Sequence, residues 1–441
     1  MQNITIPSKE LPVIANADFI VAGAGSAGVA AAVAAAQEGA SCVILEKANC
    51  AGGTLTSGLL TSIICMDDHI NLLSGGLCEE LVQRTAKEMG TQPNHRWFNI
   101  HPEAVKLILD EMLCENKIRI FYNMHCCDVL RDGNTIIGVV VSSPQGLGVV
   151  KGKFFVDATG DGNLSDLAKV PCEVGNENGE VMAPTLSSLW TGVDFEKTGG
   201  RESGLGRTQW MEALKENRTP VAEHHFVGFF RNGKGSGSTN LGHDYGCQPL
   251  DPDSYTRACI EGRKQIRLFL KFFQENVPGF EEAELSSTAS MLGVRESRRV
   301  CGDYMLNVND YIEQKHFDDE IGCFAYPIDI HASSTDANAQ KNVLVELDRT
   351  KYNPGEHYGI PYRALLAKDV DNLLLAGRCI STDRAMQSSI RVVPGCMLTG
   401  EAAGIAAAMA VKGNCSLREI NIRELQKTLS KRGIYLPENL R

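Results

Sequence analysis

The chain has 441 residues, of which 43% are hydrophobic and 22% charged, with a formal net charge of −11. A chain of this length can bury a large core without disulfides or structural metal. The acidic balance argues against nucleic acid or an acidic membrane surface as partner, since both need a basic face.

Residues 1–17 lack the basic start and apolar core of a secretory signal, and the oily stretches 29–36 and 402–411 are too short to span a bilayer. A cytoplasmic protein free of membrane and nucleic acid is expected. Residues 18–21 open a short buried strand, 23–39 read as a turn plus helix, and 41–45 as a second buried strand. This is a βαβ unit with a parallel sheet. Residues 48–100 read as loop-rich, with glycine pairs at Gly52–Gly53 and Gly75–Gly76. Pro102 then starts a helix, because Val105, Ile108, Leu109, Met112 and Leu113 fall on one apolar stripe and proline suits a first helical turn.

A strand at 117–122 follows, then strands at 136–141 and 149–155 near an Asp132-Gly133 turn. Residues 172–365 are more polar, mix strands with a basic helix near 265–273, and hold Trp190 and Trp210. The small-residue βα pattern returns with a strand at 372–376 and an Ala-rich helix at 400–411. The expected fold is α/β. A Rossmann-type domain is assembled from residues 1–171 and 366–441, with an α+β domain inserted at 172–365. The fifteen cysteines are odd in number and contain no Cys-x-x-Cys. They are expected to be reduced, mostly buried thiols, the adjacent Cys126 and Cys127 included, and no metal site is expected.

The strongest motif is Gly23-x-Gly25-x-x-Gly28, which follows a strand and opens a helix, with Glu46 at the end of the next strand. Gly23 permits the tight turn, Gly25 lets the backbone approach a pyrophosphate, and Gly28 lets helix and strand pack closely. The helix start then offers free N–H groups and partial positive charge to phosphates. Glu46 can accept hydrogen bonds from an adenosine ribose. Further small residues end later strands, in Asp157-Ala-Thr-Gly-Asp-Gly162 and Asn372-Leu-Leu-Leu-Ala-Gly-Arg378. After the second comes a Gly-rich run, 394–404, read as a turn feeding a helix start that would stabilise negative charge on a bound group.

With these blocks the chain resembles the two-domain FAD-dependent oxidoreductases of the glutathione-reductase superfamily. More narrowly, it resembles a bacterial group marked by Gly52-Gly53-Thr54-x-Thr56-x-Gly58, Arg295-Glu-Ser-Arg-Arg299, Tyr326-Pro-Ile-Asp-Ile-His331 and Ile360-Pro-Tyr-Arg363. The resemblance implies bound FAD. Its contacts would come from Gly23, Gly25, Ser26, Ala27, Gly28, Glu46, Lys47, Gly52, Gly53, Thr54, Cys127, Ala158, Thr159, Gly160, Asp161, Gly377, Arg378, Gly395, Met397 and Leu398.

Missing features narrow the chemistry. No second Gly-x-Gly-x-x-Gly follows a strand, and Gly233–Gly237 lies in an apparent loop, so a dedicated NAD(P)H domain is not expected. The Cys-x4-Cys pair of disulfide reductases is absent after Gly53, where Cys65 stands alone. Residues 50–65 contain no histidine, so non-covalent FAD is expected. Arg295, Arg298 and Arg299 form the one dense basic knot. They suit an anionic substrate if they face the flavin, or an internal ion-pair network with Glu296 or Asp303 if they do not. His331 and Tyr358 are candidate proton carriers. Arg391 is a candidate to polarise a bound acid or carbonyl, with Arg384 as the alternative. Cys396 is read as a buried bystander. The expected activity is hydride transfer between flavin N5 and a small, anionic metabolite. The rivals are an FAD-dependent nucleic-acid-modifying protein and a protein in which FAD is structural.

Overall fold

The computed structural model describes residues 10–440, together with Ile4 and Ser8. Its main sheet has seven strands. In spatial order they are Arg119–Phe121, Cys42–Leu45, Val13–Ala22, Gly146–Asp157, Thr135–Ser143 and His125–Asp132, with Leu373–Leu375 added alongside Gly146–Asp157. The strands from Arg119–Phe121 to Gly146–Asp157 run parallel, as does Leu373–Leu375, whereas the last two form antiparallel hairpins. The sheet is therefore built from both ends of the chain. Phe19, Ile20, Val21 and Ala22 are fully buried, as expected of a parallel strand covered on both faces.

One cover is the helix Ser26–Gln37, which packs against Val393–Gly413. Both helices are rich in Ala and Gly and buried on nearly all sides. A Cβ on Gly400 would stand 2.1 Å from the Ala27 carbonyl oxygen, and one on Gly404 would stand 2.1 Å from that of Ala31. The glycines in this run serve close helix packing. They do not form the loop expected before residue 400. The helix begins at Val393, with Pro394 in its first turn, where proline lacks only a donor that would be unpaired anyway. Val393–Gly413 is long and apolar enough to cross a membrane, but it is 94% buried as the core of the fold.

A second, antiparallel sheet has the order Phe229–Arg231, Gly237–Thr239, Ser188–Thr191 and Glu284–Thr288. Its core is aromatic, with Trp190, Trp210, Phe229, Phe269, Phe273 and Phe280. The long helix Pro252–Asn276 covers it, its start capped by Asp251, which accepts from the Ser254 amide at 2.7 Å. Residues after this sheet return to the first core, where Val300, Tyr311, Phe324, Tyr358 and Ile360 pack with the parallel strands. Within 172–365, the aromatic core of the second sheet spans residues from Trp190 to Ala283. Gly76–Met89, inside the stretch read as loop, is a helix burying Leu77, Cys78, Leu81, Val82, Thr85 and Ala86 on one face.

Candidate active site

A cavity of about 2360 Å³ runs from the first glycine turn to the antiparallel sheet. Its inner end is built by the ends of parallel strands. Gly25 is the N-cap of the first helix and has no side-chain cap, so the first-turn N–H groups are free to meet a ligand. A Cβ on Gly25 would find only the Ala158 carbonyl oxygen, at 4.0 Å, so open space lies before it. At Gly23, φ is +94° and a Cβ would lie 2.6 Å from the same carbonyl oxygen. On Gly28 a Cβ would lie 1.9 Å from the Gly23 carbonyl oxygen. Gly52 donates its N–H to the Ala24 carbonyl at 2.8 Å and brings the second glycine pair against the turn.

Glu46 is buried and lines the cavity, and its two carboxylate oxygens accept from the Ala24 amide at 2.6 Å and the Ala48 amide at 2.8 Å. It braces the turn while keeping lone pairs for a ribose. The neighbouring strand end is braced in the same manner. Asp157 accepts from the Thr159 amide and hydroxyl at 3.1 and 2.7 Å and from the Ser165 amide and hydroxyl, both at 2.8 Å. Asp161 pairs with Arg378 at 2.6 Å and accepts from Ser297 Oγ at 2.7 Å. Burial alone would raise the Asp161 carboxyl, but Arg378 and Ser297 outweigh it and hold it below the usual range. A glycine cradle, free helix N–H groups and a braced acid at the second strand fit FAD.

Gly23, Gly25, Ser26, Ala27, Glu46, Lys47, Gly53, Thr54, Ala158, Thr159, Gly160, Asp161, Gly377 and Arg378 all line this cavity. Gly28 and Gly52 stand behind its wall. Cys127 does not line it. The strand His125–Asp132 turns the Cys127 thiol to solvent and Cys126 to the cavity, as strand alternation requires. Gly395, Met397 and Leu398 are buried within the helix Val393–Gly413, whose first residue Val393 lines the cavity in their place. Cys396 also lines it, but burial pushes its thiol up to about 12, which makes it a poor nucleophile. Gly233–Gly237 connects two antiparallel strands and opens no helix. All fifteen cysteines are free thiols.

At the outer end the basic knot separates into different roles. Arg298 pairs with Asp166 at 3.0 Å, and Arg299 pairs with Glu296 at 2.7 Å. Arg384 pairs with the same Glu296 at 3.0 Å, while Asp303 goes to Arg418. Arg295 alone of the three lines the cavity. It is buried and donates to neutral oxygens only, the Ala183 carbonyl at 2.7 Å, Thr185 Oγ1 at 2.9 Å and Asn240 Oδ1 at 3.5 Å. No carboxylate among the described residues forms an ion pair with it. Burial, and then Arg391, lower Arg295 to about 10, so it is still cationic at neutral pH.

Arg391 lines the same region and donates to the Asp329 carbonyl at 2.9 Å and to Asp329 Oδ2 at 3.3 Å. His331 lies there too, with Asp329, His225, His243 and Tyr326. Burial raises the Asp329 carboxyl, but His331, Arg391 and His225 together hold it far below the usual range. Burial, and then Arg295, push His331 well below its ordinary value. Tyr358 is elsewhere. It is fully buried, shares a hydrogen bond of 2.9 Å with Ser389, and does not reach the cavity. Glu223, His225, His243, Tyr326 and Asp329 escaped the sequence reading. Tyr326 and Asp329 stood inside a recognised block without a role. His225 and His243 sit on separate loops that only the tertiary fold brings together.

The ligand nitrogens of His225, His243 and His331 lie within 4.8 Å of one another. Two guanidiniums flank them, however, and the two nearby carboxylates, Glu223 and Asp329, are matched in number by those cations. A divalent ion would find no uncompensated negative charge there.

No curated protein matches the sequence. Solved structures similar to this chain include a geranylgeranyl bacteriochlorophyll reductase-like protein from Thermoplasma acidophilum, 12% identical over 95% of this chain and 84% of that one, with a TM-score of 0.46. A flavin-dependent brominase is 11% identical over 94% and 83%, with a TM-score of 0.48. A p-nitrophenol 4-monooxygenase from Pseudomonas putida DLL-E4 is 11% identical over 95% and 88%, also at 0.48. The model of the FAD dependent oxidoreductase family matches residues 18–429. The chain, with its Rossmann-like domain and glycine cradle, belongs to that family and is an FAD-dependent oxidoreductase.

Proposed function

We propose that this enzyme transfers hydride between FAD and a small metabolite that carries an anionic group, on a fold of the glutathione-reductase type. Bound FAD supplies the hydride acceptor or donor, its N5. The protein's part is to bind, orient and move protons. The observation that carries the anionic substrate is Arg295, a buried guanidinium that faces the cavity and has only neutral partners. A buried guanidinium that makes no direct ion pair is costly, and a carboxylate or phosphate on the substrate relieves it through a charge-assisted pair. Arg391 orients Asp329, and His331 stands beside Asp329 as the proton carrier. The FAD is held without a covalent link, since the loop after Gly53 has no histidine through Cys65. The net charge of −11 favours a free metabolite over nucleic acid or a membrane surface.

The test is anaerobic addition of small carboxylates and phosphorylated compounds, each beside a neutral counterpart, while the oxidised-flavin absorbance is followed. Bleaching by an anionic compound is expected. Arg295→Met should keep the flavin and weaken that compound by about 3 kcal/mol, roughly a hundredfold in apparent affinity. Equal bleaching by anionic and neutral counterparts would overturn the anionic assignment. A flavin that no reductant of either kind reduces would support the structural role instead.

A further inference from the structure

Four buried groups form a continuous row, of which His243, His331 and Asp329 line the cavity and Glu223 stands behind it. Glu223 Oε2 lies 2.8 Å from His243 Nδ1, His243 Nε2 lies 3.0 Å from His331 Nδ1, and His331 Nε2 lies 3.4 Å from Asp329 Oδ1. Side-chain exposure is 4% for His243, 3% for Glu223, 8% for His331 and 11% for Asp329, so water is largely excluded.

The row has three gaps, and each needs one hydrogen. Ionised carboxylates bring none and a neutral imidazole brings one. Two neutral rings therefore fill two gaps and leave the third with lone pairs facing each other. If both N–H groups point outward, the two ring nitrogens 3.0 Å apart repel. If both point the same way, one carboxylate oxygen of the row, Glu223 Oε2 or Asp329 Oδ1, faces a ring lone pair instead of an N–H. Either arrangement leaves a buried polar contact unmade, at a penalty larger than for a neutral pair because an ion is involved.

We propose that the row Glu223–His243–His331–Asp329 carries a third proton at neutral pH, as a His243 imidazolium, and is the proton store of the active site. His243 then donates from Nδ1 to Glu223 and from Nε2 to His331 Nδ1. Neutral His331 donates from Nε2 to Asp329. This assignment agrees with the surroundings of His331, where burial and Arg295 both oppose a second positive charge. His225, whose ring centroid lies 4.6 Å from that of His331, stays neutral because burial and His243 lower it to about 4. Tyr326 donates to Asp329 at 3.1 Å and Tyr245 stacks on His243, their centroids 5.7 Å apart. Burial pushes both phenols up, so neither adds charge.

The charges then balance in pairs, Glu223 with His243 and Asp329 with Arg391, which leaves the Arg295 cation for one anionic group. A metal dication on the same imidazoles would add two charges that nothing offsets. The use of the stored proton in turnover rests on the proposed hydride chemistry; its presence does not.

The experiment is side-chain nitrogen NMR on the full flavin-loaded protein labelled with ¹⁵N-histidine, without substrate, together with metal analysis of the same sample. At neutral pH the expected spectrum shows both His243 nitrogens protonated and only Nε2 protonated on His331. Glu223→Gln should release the extra proton at a pH at least one unit lower, a tenfold loss of proton affinity. Flavin retention reports that this variant has folded. If it does not fold, the wild-type spectrum decides. A singly protonated His243 at neutral pH, or one zinc or iron per chain held by these rings, overturns the proposal. Since no substrate is present, failure here leaves the anionic-substrate reading standing, and failure of that reading leaves this result standing.

Discussion

A single missing Cβ shapes the cofactor end of the cavity. At Gly25 a side chain would meet almost no protein, only one carbonyl oxygen at 4.0 Å. The fold therefore does not demand glycine there. A diphosphate held at the helix start would demand it, because it would lie where that side chain projects. Gly25→Val should leave a folded protein whose melting resembles that of flavin-free wild type, yet which purifies colourless and takes up no FAD on reconstitution. A yellow, stoichiometrically loaded variant would show that the diphosphate lies elsewhere. Gly23 and Gly28 differ, because their Cβ atoms would collide with backbone. The motif was legible in the sequence down to its parts, with Gly25 as the ligand glycine and Gly23 and Gly28 as the turn and packing glycines, and the Cβ distances agree with that division.

At the scale of elements, the helix pair Ser26–Gln37 and Val393–Gly413 joins the two ends of the chain. Gly400 and Gly404 let the backbones touch at Ala27 and Ala31. Gly404→Val should separate the helices and cost about 3 kcal/mol or more, since the obstacle is backbone that cannot rotate away. Chemical denaturation of the flavin-loaded protein would measure it, and a loss below 1 kcal/mol would show that the contact relaxes. The sequence placed Gly400 and Gly404 at the start of a helix but read the residues before them, from Pro394, as a turn, whereas the helix already begins at Val393. A small residue in a helix and one in a loop look alike until the partner helix is known.

At the scale of the whole molecule, buried imidazoles link stability to pH. Burial and the neighbouring His243 depress His225 from 6.5 to about 4. The unfolded chain then takes up the proton first as pH falls. The contribution of His225 is complete above about pH 6.5 and is lost progressively between there and pH 4, at most about 3 kcal/mol. His331 acts in the same direction, since burial and Arg295 lower it further. Unfolding free energies measured from pH 7 to pH 4 should fall faster for wild type than for His225→Asn. Parallel curves would show that His225 does not titrate on unfolding.

What the amino-acid sequence determined by itself was the αβ frame and the cofactor. Apolar runs such as 19–21 and 42–45, short and bounded by turn residues, read as doubly covered strands, and the glycine spacing after the first reports a local turn whose shape needs no distant partner. The helix opened by Pro102 was legible for the same reason, as its stripe is local. The tertiary structure decided the substrate end. Arg295 and Arg299 are neighbours in sequence, yet one faces the cavity and the other an internal carboxylate. Cys126 and Cys127 divide likewise between cavity and solvent. Glu223, His243, His331 and Asp329 come from segments up to about a hundred residues apart. No periodicity marks residues whose only relation is proximity in space, and hydrogen bonds between loops are written nowhere until the chain has folded.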